Sequence, residues 1–131
     1  MAVKDKNILP DAAVASRLVT INPVTAVSQS GVVIWSFTPG YAFQVSKCTT
    51  FCNTKAGTVT AALKVGSNTA STLAFTAATE VTATLSSTLA NLRGSSTDTI
   101  TLALTTDGSG ALTFPTINIT FRPFPMNGEA Y

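Results

Sequence analysis

Threonine alternates with aliphatic residues along three stretches of this chain, and that alternation restricts the fold more than any other feature. It runs through Gly57-Thr58-Val59-Thr60-Ala61-Ala62-Leu63-Lys64-Val65, through Val81-Thr82-Ala83-Thr84-Leu85 and through Thr99-Ile100-Thr101-Leu102-Ala103-Leu104-Thr105. A period of two places the aliphatics on one face of a strand and the hydroxyls on the other. A helix cannot use such a pattern, because its faces repeat every 3.6 residues. The chain therefore reads as all-β, with each sheet buried on one side and wet on the other.

At 131 residues the length fits one domain. Hydrophobic residues make up 45% of the sequence and charged residues only 11%, against a usual charged share near 25%. The polar surface must then consist mainly of Thr, Ser, Asn and backbone groups, which cost less to desolvate than Lys or Glu. Such faces suit permanent protein contacts. The net charge of +2 comes from dispersed cations, Lys4 and Lys6 being the nearest to a cluster. Nucleic-acid binding requires a basic stripe that displaces counterions, and none is present.

Met1 to Ser16 holds Lys4, Asp5, Lys6, Pro10 and Asp11, with no apolar run suited to a signal peptide. No stretch approaches the roughly 18 apolar residues of a membrane-spanning helix. The expectation is a chain made in the cytoplasm, without a membrane partner. Cys48 and Cys52 are four residues apart; on a regular strand they would lie about 13 Å from each other, beyond the roughly 7 Å that a disulfide permits. Two reduced thiols are expected. A zinc site would need further ligands, and histidine is absent.

Strands are expected at Arg17–Ile21, Gly31–Phe37, Tyr41–Asn53, Gly57–Val65, Thr69–Phe75, Glu80–Leu85, Asp98–Thr105 and Leu112–Phe121. Gly31–Phe37 is apolar on both faces, which suggests a central position. Along Tyr41–Asn53, Phe43, Val45 and Phe51 should share one face, with Gln44, Ser46 and Cys48 opposite. Thr38-Pro39-Gly40 and Gly66-Ser67-Asn68 read as turns, and so does Asp107-Gly108-Ser109-Gly110. Ser86 to Gly94 could form one helical turn, capped by Ser86 or Ser87 and ended by Gly94. About eight strands spaced near ten residues describe a two-sheet antiparallel β-sandwich, jelly-roll or immunoglobulin-like. Its expected limits are an N-terminal arm over 1–16, a sandwich over 17–122 and a Pro-rich C-terminal tail over 123–131. In that tail Phe124, Met126 and Tyr131 must either fold over the sandwich edge or dock on a neighbour.

No catalytic, cofactor-binding or metal-ligating set can be assembled. A serine nucleophile lacks a histidine base. The six carboxylates, Asp5, Asp11, Glu80, Asp98, Asp107 and Glu129, fall in arms, turns or strand starts rather than as a pair. Asp107-Gly108-Ser109-Gly110 lacks the alternating carboxylates of a calcium loop. Asn118-Ile119-Thr120 matches a glycosylation sequon, a chance match in the absence of a signal peptide. Trp35 and Tyr41 could line a sugar platform, although Trp35 within Val-Val-Ile-Trp-Ser-Phe reads first as packing.

The Thr/Ala/Val strands, Lys64-Val65-Gly66, Thr105-Thr106-Asp107-Gly108-Ser109-Gly110-Ala111-Leu112 and the Arg122-Pro123-Phe124-Pro125 tail together resemble small structural proteins of tailed bacteriophages, capsid decoration or cement proteins above all. The resemblance extends over residues 31 to 131 and is one of style rather than of a diagnostic motif. Small single-stranded RNA phage coat proteins are similar in length but end in a long helix. The decoration-protein resemblance implies a non-enzymatic virion protein, a homotrimer on the outer capsid surface that bridges neighbouring major capsid proteins and stabilises the shell. It implies no cofactor and no nucleic-acid partner. The alternative is a tail or head-fibre component that binds host-surface carbohydrate.

Overall fold

The computed structural model describes residues 15–20 and 28–124. Eleven strands are formed among them: β1 (Ala15–Thr20), β2 (Gln29–Phe37), β3 (Phe43–Phe51), β4 (Thr54–Ala56), β5 (Val59–Val65), β6 (Asn68–Ala74), β7 (Val81–Thr82), β8 (Arg93–Gly94), β9 (Ile100–Thr106), β10 (Ala111–Thr113) and β11 (Thr116–Pro123). All the strand pairings are antiparallel. One sheet has the order β1-β11-β3, with β7 and β8 both on the far edge of β3; the other has the order β2-β9-β5-β6. β4 and β10 form a separate two-stranded ribbon.

This order is a chain folded in half and then rolled. With the β4–β10 ribbon set aside, the first strand pairs with the last (β1 with β11), the second with the one before the last (β2 with β9), β3 with β7 and β8, and β5 with β6 at the tip. The pairings β11–β3 and β9–β5 then close the two sheets. That is the jelly-roll topology. The immunoglobulin-like alternative is excluded, because it places its first two strands side by side in one sheet. Here β1 and β2 belong to opposite sheets.

The alternation does what its period requires. Along β5 every second residue is buried: Val59, Ala61, Leu63 and Val65. From β9, Ile100, Leu102 and Leu104 face the same interior. Ile117, Ile119 and Phe121 of β11 meet them from the opposite sheet, together with Phe43 and Val45 of β3. Each buried Leu, Ile, Val or Phe contributes roughly 1.5–3 kcal/mol, ample for a core of this extent. The tip hairpin has a two-residue loop, Gly66-Ser67, between the paired Val65 and Asn68. Gly66 sits at φ 60°, the left-handed conformation that the tightest hairpin turns demand.

Three local expectations are corrected. In β3, Ser46 is an extra residue: Lys47 lies opposite Thr120 and Val45 opposite Phe121. This bulge reverses the parity of everything after it. Cys48, Thr50 and Cys52 are therefore buried with Phe43 and Val45, while Phe51 faces outward. Among the described residues β2 is an edge strand rather than a central one, pairing only with β9. It carries two bulges, and Val33 is 60% exposed. Residues 112–121 do not form one strand, because Phe114 at φ 48° breaks them into β10 and β11.

The domain limits also shift slightly. Ala15 and Ser16, placed in the arm by the sequence, pair with Phe121 and Thr120 in β1. Pro123 remains in β11, and the Phe124 N–H donates to the Ala42 carbonyl at 2.9 Å. Phe124 is buried on its own domain, so the tail begins by folding over the sandwich edge. The rest of the proposed arm and tail, residues 1–14 and 125–131, lies outside the described residues.

Candidate functional site

The carboxylates are dispersed and locally employed. Asp107 caps its own turn: the Ser109 N–H and hydroxyl both donate to its Oδ1 at 3.0 Å. The Ser109 backbone N–H holds its carboxyl below the ordinary value; desolvation opposes this, and the Ser109 hydroxyl and Thr58 add to it. Asp98 accepts from the Ser95 N–H at 2.8 Å and closes another turn. Glu80 lines a shallow polar hollow of about 100 Å³ with Lys47, Thr49, Asn118 and Thr120. Asp5, Asp11 and Glu129 lie outside the described residues. Among the described residues no three His, Cys, Asp or Glu side chains gather as a metal site, and no helix is long and apolar enough to cross a membrane.

Both cysteines are free thiols and buried. Burial pushes the Cys48 thiol up to about 12. It raises Cys52 as well, partly opposed by the charge of Lys55. A raised thiol is mostly protonated at neutral pH and a poor nucleophile.

The largest continuous features are the two outer sheet faces. On the β2-β9-β5-β6 sheet the register aligns Val33, Ala103, Ala62 and Thr72 in one row, with Ser36, Thr101, Lys64 and Thr69 in the next and Thr105, Thr60 and Ala74 in a third. Lys64 is the one charge in those three rows. On the opposite sheet Leu18, Asn118, Thr49 and Thr82 form a row, and Thr20, Thr116 and Phe51 form another. Ser16 and Thr120 share a hydroxyl–hydroxyl bond at 3.2 Å in the row that ends at Lys47. Leu18 stands 70% exposed among these small polar groups.

The two sheets are tied at their edges by polar groups. Arg17 of β1 lies 4.4 Å from the centroid of the Phe37 ring of β2. Thr50 of β3 donates its hydroxyl to the Ala74 carbonyl of β6 at 2.6 Å. The Ser71 hydroxyl donates to the Thr84 carbonyl at 2.7 Å. Among the described residues no buried side-chain nitrogen or oxygen lacks a partner.

Of the two proposed platform aromatics, Trp35 is half-buried, stacked on Phe37 with centroids 6.1 Å apart and planes 17° apart. Tyr41 is exposed after the Pro39-Gly40 turn. Sequence reasoning missed a cleft of about 370 Å³ lined by Ala42, the next residue along the chain, and by Ala90, Arg93, Gly94, Ser95 and Phe124. The 3-10 turn Leu89–Asn91 forms one side. That turn is oriented from outside its ends, by Ser86 Oγ accepting from the Thr88 N–H and from Asn91 Nδ2. Gly94, expected to end the helical turn, instead lies in β8 opposite Phe43. Arg93 is fixed in the cleft wall by Gln44 Oε1 at 2.9 Å and by the Phe124 ring, 3.9 Å from its guanidinium carbon.

Comparison of the chain with protein-family models, with curated proteins and with solved structures gives no match.

Proposed function

We propose that this protein is a non-enzymatic structural component of a virus particle, a decoration protein that binds the outer surface of the major capsid shell as a homo-oligomer, a trimer, and stabilises it. One observation carries the reading: two broad sheet faces of a jelly roll covered by small, neutral Thr, Ser, Asn and Ala side chains in register, with isolated large apolar groups standing out of them. Hydroxyls and methyls lose little on leaving water, and apolar groups standing out from such a surface mark contact points. Jelly rolls are common in viral shells, which supports the reading by analogy of fold alone. Several copies engaging one shell would add avidity.

The test is mass spectrometry of purified particles combined with heat challenge in the presence and absence of the protein. The protein is expected in the particle, and its removal should lower the temperature at which the shell opens. Absence from particles, or unchanged shell stability, refutes the reading. The carbohydrate-binding alternative rests on Tyr41, because Trp35 stacks on Phe37. Binding of a panel of sugars that is absent, or that is unchanged in Tyr41→Ala, counts against it.

A further inference from the structure

Two features at the two ends of β11 stand apart from the isolated apolar groups Leu18, Val32 and Val33 on the sheets. At its N-terminal end Phe114 is 71% exposed, and the exposed Phe51 is the register partner of Thr116, two residues away. At its C-terminal end lies the cleft above Phe124, with the exposed Tyr41 and Leu89 next in sequence to its lining residues Ala42 and Ala90.

Phe114 is no ordinary loose side chain. It adopts φ 48°, a left-handed conformation that is costly for a residue with Cβ. It also precedes Pro115, which favours extended backbone in the preceding residue. The flanking structure holds it there: β10 is paired to β4 on one side and β11 to β1 and β3 on the other. Strain of this kind recurs where a fold presents a group for use. The result is a phenyl ring pushed into solvent on a rigid mount.

The cleft has complementary chemistry. Its volume of about 370 Å³ is at the lower end of small-ligand pockets, roughly 300–1,000 Å³. It already holds one aromatic ring against the guanidinium of Arg93. A second aromatic entering it gains apolar burial and a further cation–π contact. Eight residues of β11 separate the two features, about 25 Å at roughly 3.3 Å per residue. Phe114 therefore cannot reach the cleft of its own chain.

We propose that Phe114 of one copy inserts into the Arg93/Phe124 cleft of a second copy, making a head-to-tail contact between subunits. A single such contact leaves one knob and one cleft unused in a dimer; a reciprocal pair of them closes a two-fold dimer, and otherwise the contact closes into a larger ring or continues as a filament according to the rotation it imposes. The proposal concerns the isolated protein and stands or falls independently of any capsid.

The experiment is sedimentation of the full chain from micromolar concentrations to about 1 mM, a range in which even weak self-association populates oligomers. Two variants are compared: Phe114→Asn, which removes the ring but suits the left-handed backbone, and Ala90→Trp, which fills the cleft from an exposed position. Circular dichroism and thermal midpoints establish that both are folded. Wild type should self-associate with increasing concentration, and each variant alone should do so at least about tenfold more weakly, as expected for a central aromatic anchor. Mixed one to one, the variants should form a dimer and nothing larger, since Ala90→Trp still supplies the ring and Phe114→Asn the cleft. A monomeric wild type, self-association unchanged in either variant, or a mixture that stays monomeric overturns the proposal.

Discussion

Thr50 Oγ1 donates to the Ala74 carbonyl oxygen at 2.6 Å, joining β3 of one sheet to β6 of the other at the edge of the sandwich. Thr50→Val keeps the shape and removes the donor. A net intramolecular hydrogen bond contributes about 1 kcal/mol, and the partly buried position of this one raises the cost of losing it. The variant should lose about 1–2 kcal/mol, read as a lower urea midpoint with an unchanged slope. An unchanged midpoint would show that the bond adds nothing.

Gly94 lies against the ring of Phe43. A Cβ built on Gly94 would come 2.5 Å from Phe43 Cζ and 3.0 Å from Val65 Cγ1. Gly94→Ala should therefore destabilise the fold by about 1–3 kcal/mol through overpacking, measured as a drop in thermal midpoint. Ala in place of Gly108, which has open space around its Cα, serves as the comparison and should cost distinctly less.

Phe114 offers the opposite sign. Because Asn tolerates the left-handed region better than Phe does, Phe114→Asn should raise stability, by up to about 1 kcal/mol. Denaturant unfolding of the variant at micromolar concentration, where subunit contacts contribute least, reads this directly. A destabilised variant would mean that the Phe114 ring packs on its own domain more than its exposure indicates.

The pH dependence has two limbs of known sign. Asp107 is held below the ordinary carboxylate value in the fold, so its contribution is present at neutral pH and is lost as pH falls through the carboxylate range, about 4 and below. Wild type should exceed Asp107→Asn in thermal midpoint at pH 7, with the gap closing toward pH 2. Cys48 is raised from 9.0 to about 12, so its contribution is complete below the ordinary thiol value and is lost as pH rises from there toward about 12. Urea midpoints between about pH 8 and 11 should fall more steeply for wild type than for Cys48→Ala.

The thiols also give a direct readout of burial. Maleimide added to the native protein should leave Cys48 unmodified until the fold opens, because the thiolate is the reactive form. Cys52, whose rise is partly opposed by Lys55, should react sooner. Equal, fast labelling of both would contradict the buried positions given to them.

How much of this was legible follows from which interactions are local. The tip hairpin was readable at Gly66-Ser67, and so were the inward rows of β5 and β9, because period and turn chemistry are encoded in neighbouring residues. The parity of β3 was not, since a single bulged Ser46 set against Thr120 and Phe121 moves Cys48 from the outer face to the core. Nor was the edge position of β2. An apolar strand looks the same whether it has one partner or two, and which it has is settled by β9 and β5, far along the chain. The cleft was hidden for a related reason: Ala42, Arg93 and Phe124 are separated by dozens of residues and meet only because β3 pairs with both β8 and β11.

The sequence by itself determined an all-β sandwich with threonine-covered faces and two unpaired thiols, since each of these depends on residue type and short-range spacing. Tertiary structure alone decided that the sandwich is a jelly roll rather than an immunoglobulin-like fold, which side chains of β3 are buried, and that Phe114 and the Arg93/Phe124 cleft stand at opposite ends of one strand. Those outcomes depend on pairing between residues distant in the chain. A strand's pattern specifies which face it buries and leaves open which strand lies beside it.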